Sequence, residues 1–371
     1  MRMTPEATSE ATIRDDRSTS REPIDGRRSF DRRLPGSGRS IGAAVVVAVA
    51  LLGGLGGCKT SPHADGGDSS KSSKAPDPWR GGGAQPAPSA EEARLERVDA
   101  TIKQWDAAHA EARDDAASAL ARKISDEVDR DFPYFATASK GEKGLKIQNL
   151  AVQALAFSGN RAATTLLVDR LRDLDGSVVG NALIGLKIRS DPDTPLKPLI
   201  ALLRAQFPEA RRYAPLALAN VVRAREVAHR PIEPELSDAA MAGLVGLVQD
   251  NDPYARLHAA KAMGALRRPD ATDFLVMLLQ DVRATIRIAA AAALERIGDP
   301  RSFPSVVALL DRMADDQQVY VREILVSYAE RLQGRPMTPV EVKALDVSPR
   351  AWDRWFAARQ GTPKAPATTA K

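Results

Sequence analysis

The side chains that carry out most protein chemistry are scarce in this chain of 371 residues. It has one cysteine, Cys58, and its four histidines stand at positions 63, 109, 229 and 258. A lone cysteine allows no intramolecular disulfide and no thiolate metal cluster, and no histidine pair has the His-x-x-x-His spacing of a zinc site. Nucleophile elbows, phosphate-binding loops and dinucleotide fingerprints are also missing from the sequence. We therefore predict a protein that is not an enzyme and that holds no metal or cofactor.

The other acid–base candidates have simpler structural explanations. Asp114-Asp115 and Asp315-Asp316 are adjacent carboxylates at predicted helix ends, where capping and the helix dipole account for acidic residues. His258 falls on the flank of a predicted helix, and we interpret it as a surface histidine satisfied by hydrogen bonds rather than as a catalytic base.

Cys58 directly follows an apolar run of small residues, from Ile41 to Gly57. An arginine-rich segment precedes the run, so residues 1–57 have the basic region, apolar core and small-residue cleavage point of a secretory signal. The motif Leu-Gly-Gly-Cys58 resembles the lipobox of bacterial lipoproteins. This resemblance implies cleavage before Cys58 and attachment of a diacylglycerol to its sulfur, usually with acylation of the new N-terminus.

Two other interpretations of this segment are a transmembrane helix and a buried structural cysteine. About 17 apolar residues is the lower limit for crossing a bilayer, and the glycines and the lack of interfacial aromatics also disfavour a span. Arg27-Arg28-Ser29-Phe30 partly resembles the twin-arginine export motif, so the export route stays open. Lys59, by analogy with enteric lipoproteins, implies the outer rather than the inner membrane. We predict a periplasm-facing, lipid-anchored protein of the bacterial envelope.

The whole chain has a nearly even balance of 53 basic and 48 acidic residues. Nucleic acid binding needs basic residues concentrated on one face, so no nucleic acid partner is expected. The segment that follows Cys58 is rich in Gly, Pro and Ser. It cannot bury enough apolar surface to offset the entropy of ordering, which predicts a disordered tether.

From about residue 146 the sequence repeats a helical unit. Anchored on the position of Arg256, the copies fall at residues 148, 179, 211, 256, 287 and 322. Ala255, Ala259 and Ala262 recur at helical spacing, and such small residues let neighbouring helices approach closely. Neither helix of a unit can bury its apolar stripe alone, so the units must stack. The predicted fold is all-α, an α-α superhelix.

The recurring pattern Val/Ile-Arg-x-x-Ala-Ala-x-Ala-Leu, with Gly-Asp-Pro-Arg, resembles HEAT repeats of the short bacterial type, which also occur in phycobilisome lyase-like proteins. The predicted organisation is a signal peptide over 1–57, the lipidated cysteine and tether over 58–89, capping helices over 90–145, HEAT-like repeats over 146–334, a C-terminal cap over 335–360 and a disordered tail over 361–371. In the C-terminal cap, Trp352 and Phe356 are expected to pack inward.

The resemblance also implies a ladder in which the arginine that opens the second helix pairs with an acidic residue of a turn. Four copies have this arginine, whereas Gln148 and Val179 depart from it. The arginines are Arg211, Arg256, Arg287 and Arg322, and the expected partners are Asp250, Asp252, Asp281 and Asp315 or Asp316. Recognition of an anionic partner is the other use these arginines allow.

The predicted binding face lies opposite the alanine stripe. Four aliphatic residues are expected to be exposed there, with four cations beside them: Ile184, Leu216, Leu257 and Ile288, flanked by Lys187, Arg212, Lys261 and Arg268. Such a row can receive an extended peptide or an amphipathic helix. The alternative is that crowding between helices covers the aliphatic side chains. Residues 223–237 are interpreted as an insertion, either a second binding candidate or a tolerated surface loop.

Together these features predict a monomeric, lipid-anchored envelope scaffold that binds a protein or peptide on the surface of a HEAT-like solenoid. The alternative is a HEAT-containing lyase-like enzyme, or an enzyme accessory, that acts on a small molecule.

Overall fold

The computed structural model describes residues 89–346 and 348–360. The predicted signal peptide, Cys58, the tether as far as residue 88 and the tail over 361–371 lie outside the described residues. Within the described ranges the regular structure consists of sixteen α-helices and three short 3-10 helices, with no β-strand. None of these described helices is both long enough and apolar enough to cross a membrane.

The helices follow one another as an N-terminal pair, six repeated pairs and a C-terminal pair. They are α1 (Ala90–Ala110), α2 (Asp114–Arg130), α3 (Phe132–Ala138), α4 (Leu145–Leu155), α5 (Ala162–Arg170), α6 (Gly176–Arg189), α7 (Leu196–Leu202), α8 (Pro208–Val227), α9 (Pro234–Leu247), α10 (Pro253–Leu266), α11 (Thr272–Leu278), α12 (Ala284–Ile297), α13 (Phe303–Val307), α14 (Asp315–Gln333), α15 (Pro339–Leu345) and α16 (Pro349–Gln360). This order confirms the predicted all-α superhelix of HEAT-like repeats.

Each repeated pair has a first helix (α3, α5, α7, α9, α11, α13) and a second helix (α4, α6, α8, α10, α12, α14). The second helices of successive pairs pack directly against one another, and their ends are set by local chemistry. Asp175 and Asp252 cap the N-termini of α6 and α10 through their carboxylates, as short polar side chains do at this position. Gly298 ends α12 with a φ of 75°, which glycine adopts without steric penalty.

The core confirms the predicted repeat phase. Ala255, Ala259 and Ala262 are fully buried, and so is Leu294 in the following second helix. A Cβ atom placed on Gly264 of α10 would lie 2.8 Å from the Cβ of Ala293 in α12, so larger side chains would force these helices apart. Small residues therefore fix the distance between adjacent second helices.

The interpretation of residues 223–237 as a looped insertion is wrong. Helix α8 continues to Val227 and α9 begins at Pro234, so only residues 228–233 join them. Ile232 and Leu236 in this stretch pack against the core. The wider spacing between the copies at 211 and 256 thus comes from longer helices, which bury apolar residues of their own.

The two ends of the described stack are closed by helices. Helices α1 and α2 pack on α4 and bury Leu95, Val98 and Ile124. At the other end, the rings of Phe303 and Phe356 stack with centroids 4.9 Å apart. Trp352 is buried beside them, which confirms the expected inward packing of α16.

Candidate functional site

The row of aliphatic residues predicted as a binding groove is only partly open. Leu257 and Ile288 are each 5% exposed and belong to the apolar core, so the expectation that they are exposed is wrong. Helices α10 and α12, which carry these two residues, approach closely at Gly264. Ile184 and Leu216 are half-buried. Surface accessible to a partner therefore remains only at the α6 and α8 positions of this row.

Two of the four predicted flanking cations are neutralised by nearby carboxylates. The Nε atom of Arg212 lies 2.7 Å from Oδ2 of Asp252. Arg268 is paired with Asp270 at 2.6 Å and with Asp238, and these hydrogen bonds raise the pKa of its guanidinium. Neither arginine offers an unpaired charge to a partner.

The other two cations belong to a cluster that includes a residue the sequence analysis placed in the insertion. Lys187 of α6, Arg223 of α8 and Lys261 of α10 lie on three successive second helices, and we call them the cation cluster. All three side chains are half-buried. Among the described residues, none of the three forms an ion pair with a carboxylate. The Nε atom of Arg223 is buried without a hydrogen-bond partner.

Burial and neighbouring charges change the ionisation of the cation cluster. Burial lowers the pKa of Lys261 to about 8, and the charges of Arg223 and Lys187 contribute to that shift. Burial also lowers the pKa of Lys187, against a smaller opposing effect of Asp106. For Arg223, burial and the charge of Arg296 lower the pKa, whereas Glu226 raises it. Like charges that have lost part of their water are costly, and an anionic ligand would reduce that cost.

His258 lies on the same helix as Lys261 and is not the surface histidine expected from the sequence. It is buried, and its Nδ1 atom lies 2.6 Å from the carbonyl oxygen of Arg212. Because a carbonyl oxygen only accepts, Nδ1 carries the proton and donates it. Burial, aided by the charge of Lys261, lowers the pKa of His258 to about 3. The ring is therefore a neutral part of the core near pH 7.

The turn arginines form the expected ladder in part. Arg211 pairs with Asp250 and Arg256 pairs with Asp281, both at 2.7 Å. Each pair links the start of one second helix to the turn of the next helix pair, which confirms a structural role. In the first copy Gln148 replaces the arginine and donates to Asp173 at 2.8 Å.

Two rungs of the ladder differ from the expectation. Within the described fold Arg287 has no carboxylate partner, because Met313 occupies the place of the acid, with its sulfur 3.3 Å from Nε. Arg322 pairs with Asp346 at 2.6 Å, so Asp315 and Asp316 are not its partners. Asp346 precedes the C-terminal helix α16, so this last rung ties the cap to the repeats.

Within the described residues, no group of three or more His, Cys, Asp and Glu side chains is arranged to hold a metal ion. The residues best placed to bind a partner are thus the cation cluster and the half-buried Ile184 and Leu216 beside it. Sequence reasoning identified Lys187 and Lys261 by helical spacing but missed Arg223. Arg223 follows Leu216 by two helical turns in the same helix, and this spacing could have placed it on the same face.

Comparison with known proteins agrees with the repeat architecture. The family model for HEAT repeats matches residues 196–281 and 241–328. An uncharacterized phycocyanin operon protein Z from Pseudanabaena tenuis (strain PCC 7409) is 31% identical over 140 residues, which is 38% of this chain and 64% of that protein. The chain therefore spans somewhat less than two thirds of the length of this relative.

Several solved structures share a low overall similarity with the chain. The complex of CpcE and CpcF of phycocyanin lyase from Nostoc sp. PCC7120 aligns at 20% identity and a TM-score of 0.36, over 69% of this chain and 100% of that one. A designed armadillo repeat protein in complex with the peptide (KR)4 aligns at 18% identity with a TM-score of 0.38, over 65% of this chain and 100% of that one. An engineered protein aligns at 19% identity with a TM-score of 0.42, over 71% of this chain and 76% of that one. Similarity at this level says nothing about function.

The chain thus carries HEAT repeats over residues 196–328 and is similar in sequence to a phycocyanin operon protein.

Proposed function

We propose that this protein is a lipid-anchored scaffold that binds an acidic segment of a partner protein on the second helices of its solenoid. One observation carries the proposal: Lys187, Arg223 and Lys261 are half-buried, the first two repel the charge of Lys261, and none of the three has a carboxylate ion pair among the described residues. A partner carboxylate would supply the missing counter-charge in a partly dry site, where charge-assisted hydrogen bonds are strong.

The surroundings of the cation cluster favour an extended acidic peptide over a wholly apolar helix. An amphipathic helix needs a continuous apolar groove, but Leu257 and Ile288 are buried in the core. Ile184 and Leu216 offer apolar contact only at one end of the row. The matching segment would therefore carry acidic residues together with one or two apolar side chains.

The proposed location rests on the sequence before residue 89. The Leu-Gly-Gly-Cys58 motif and the apolar run before it support export and lipidation, with the periplasmic side of the outer membrane as the favoured place. Changing Cys58 to Ser should abolish palmitate labelling and leave an unprocessed precursor. Equal labelling of the variant and the parent would remove the anchor from the proposal.

Crosslinking in intact envelopes, read by mass spectrometry, tests the binding role. The triple variant Lys187→Gln, Arg223→Gln and Lys261→Gln should lose most crosslinks to the partner and keep its helicity, because no core side chain changes. Lys197→Gln is the matched control, since Lys197 is exposed on the first helix α7. If the triple variant captures the partner as well as the control does, the acidic-segment proposal is wrong.

The similarity to a phycocyanin operon protein supports a second candidate, an accessory that handles a small anionic molecule. The same cation cluster suits the carboxylates of such a compound. Native mass spectrometry of protein released from envelopes separates the two candidates. A bound species of small-molecule mass, lost in the triple variant, would favour the accessory, whereas a bound polypeptide favours the scaffold.

A further inference from the structure

The turns that join the first helix of each pair to the second lie side by side along one edge of the repeats. Hydrogen bonds tie the start of a second helix to the turn of the next helix pair: Gln148 of α4 donates to Asp173 at 2.8 Å, and Arg256 of α10 donates to Asp281 at 2.7 Å. Between the turns of α5–α6 and α7–α8, a Cβ on Gly176 would lie 3.5 Å from the ring of Phe207. We call four of these six connections the turn edge: residues 141–146, which include the start of α4, and residues 171–175, 203–207 and 279–283. The connections over 248–252 and 308–314 are not part of it.

The turn edge exposes apolar side chains that the fold does not need. Leu174 is 92% exposed and Val282 is 86% exposed, and Leu145 and Phe207 are also exposed. Single exposed apolar residues are normal on a protein surface, but here one occurs at four of the six connections between a first and a second helix in the described residues. Exposed apolar groups aligned along one edge indicate a surface that something covers.

Each exposed apolar residue has an exposed cation close to it in sequence. The pairs are Leu145 with Lys146, Leu174 with Arg172, Phe207 with Arg204, and Val282 with Arg283. Among the described residues, none of these four cations forms an ion pair. The turn edge therefore presents positive charge and apolar surface together.

The carboxylates of the same turns are directed at internal partners. Asp173 accepts from Gln148 and from the backbone of Asp175, and Asp281 accepts from Arg256 and from the backbone of Arg283. Glu142 is the exposed carboxylate of these four turns. The acids stabilise the turns, and the exposed side chains of the four turns carry more positive than negative charge.

The chain also enters the described fold at the turn edge. Glu91, at the start of α1, forms an ion pair with Lys143 in the first of the four turns. Only residues 59–88 separate Cys58 from Ser89, and a chain of that length reaches roughly 100 Å at most. A lipid on Cys58 would therefore hold the protein near the bilayer, and the point of attachment to the repeats would be the start of α1, at the turn edge.

We propose that the turn edge docks on an anionic lipid surface, with Leu174, Phe207 and Val282 entering the interfacial region and the neighbouring cations contacting lipid phosphates. Basic residues near an anionic leaflet and apolar groups at the headgroup boundary are attracted independently. This inference rests on the proposed lipid anchor at Cys58. Docking by this edge would leave the cation cluster on the second helices free for a partner.

Site-specific fluorescence quenching of the full-length protein, extracted from envelopes and placed in vesicles, tests the docking. Val282→Cys carries a maleimide fluorophore, and Val227→Cys is the matched control, because Val227 is 81% exposed at the opposite end of a second helix. In vesicles of phosphatidylglycerol and brominated phosphatidylcholine, the probe at 282 should be quenched and the probe at 227 should not. The quenching should disappear in vesicles of brominated phosphatidylcholine alone.

Charge removal provides the second arm of the test. Arg172→Gln and Arg204→Gln, introduced with the Val282→Cys probe, should each weaken docking roughly fivefold at low salt. Leu174→Ser should reduce the quenching at every salt concentration. Equal quenching at 282 and 227, or none at 282 in anionic vesicles, would overturn the docking proposal.

Maleimide labelling of the parent protein, which has no introduced cysteine, shows whether a failure lies in the proposed anchor or in the docking. If the Cys58 sulfur is acylated, the parent takes up no maleimide, and any fluorescence comes from the introduced cysteine. Labelling of the parent would show that the anchor is missing, whatever the vesicles do. If the parent is not labelled and the probe at 282 is unquenched in vesicles but shielded in intact envelopes, the turn edge is a protein interface and the lipid proposal is wrong.

Discussion

Replacing Arg256 with Met should destabilise the repeats far more than the same change at Arg322, although both arginines form rungs of one ladder. The side chains of Arg256 and Asp281 are 16% and 7% exposed, whereas those of Arg322 and Asp346 are 38% and 51% exposed. Breaking a buried ion pair strands a charge and costs about 3–5 kcal/mol. Exposed pairs contribute about 0–1 kcal/mol.

The expected loss for Arg256→Met is about 3 kcal/mol, at the lower end of that range, because Asp281 keeps a hydrogen bond from the backbone of Arg283. The expected loss for Arg322→Met is below about 1 kcal/mol. Adding Asp281→Asn to Arg256→Met should restore part of the stability, since the stranded carboxylate is then neutral.

Urea unfolding followed by far-ultraviolet circular dichroism measures the free energies of unfolding. Hydrogen exchange in α10 and α12 should be measured in parallel, because repeat proteins also unfold in parts. Equal losses for the Arg256 and Arg322 variants would refute the assignment of buried and exposed rungs. A further loss on adding Asp281→Asn would show that the stranded charge is not the cause.

Two further predictions concern the core and the cation cluster. Leu294→Asp should cost several kcal/mol in the free energy of unfolding, because the side chain is fully buried and an unpaired charge there must be desolvated or neutralised. Val282→Asp, at an exposed turn position, should change the melting temperature little, and equal shifts would contradict the repeat phase. Because burial lowers the pKa of Lys261 to about 8, its charge is present below that pH and is lost above it. Affinity for an acidic partner, measured by calorimetry, should therefore fall between pH 7 and 9, and Lys261→Arg should flatten this dependence; an unchanged profile in the arginine variant would exclude Lys261 as the cause.

The repeat period and the identity of the core residues could be predicted from the sequence. Helical spacing determines which face of a helix is apolar, so Ala255, Ala259 and Ala262 were correctly assigned to the interior, and Trp352 to the C-terminal cap. Arg256, which opens a second helix, was correctly expected to have a structural role, since it pairs with Asp281. These features follow from the order of residues along one helix.

Only the tertiary structure decided which residues of the second helices remain accessible. Leu257 has the spacing of a surface residue, yet the distance set by Gly264 and Ala293 places it in the core. Arg212 is neutralised by an acid forty positions away, whereas Arg223 has no ion-pair partner in the described fold. Helical period reports the direction of a side chain from its own axis, but burial and charge pairing depend on how closely adjacent helices approach and on which side chains they bring together.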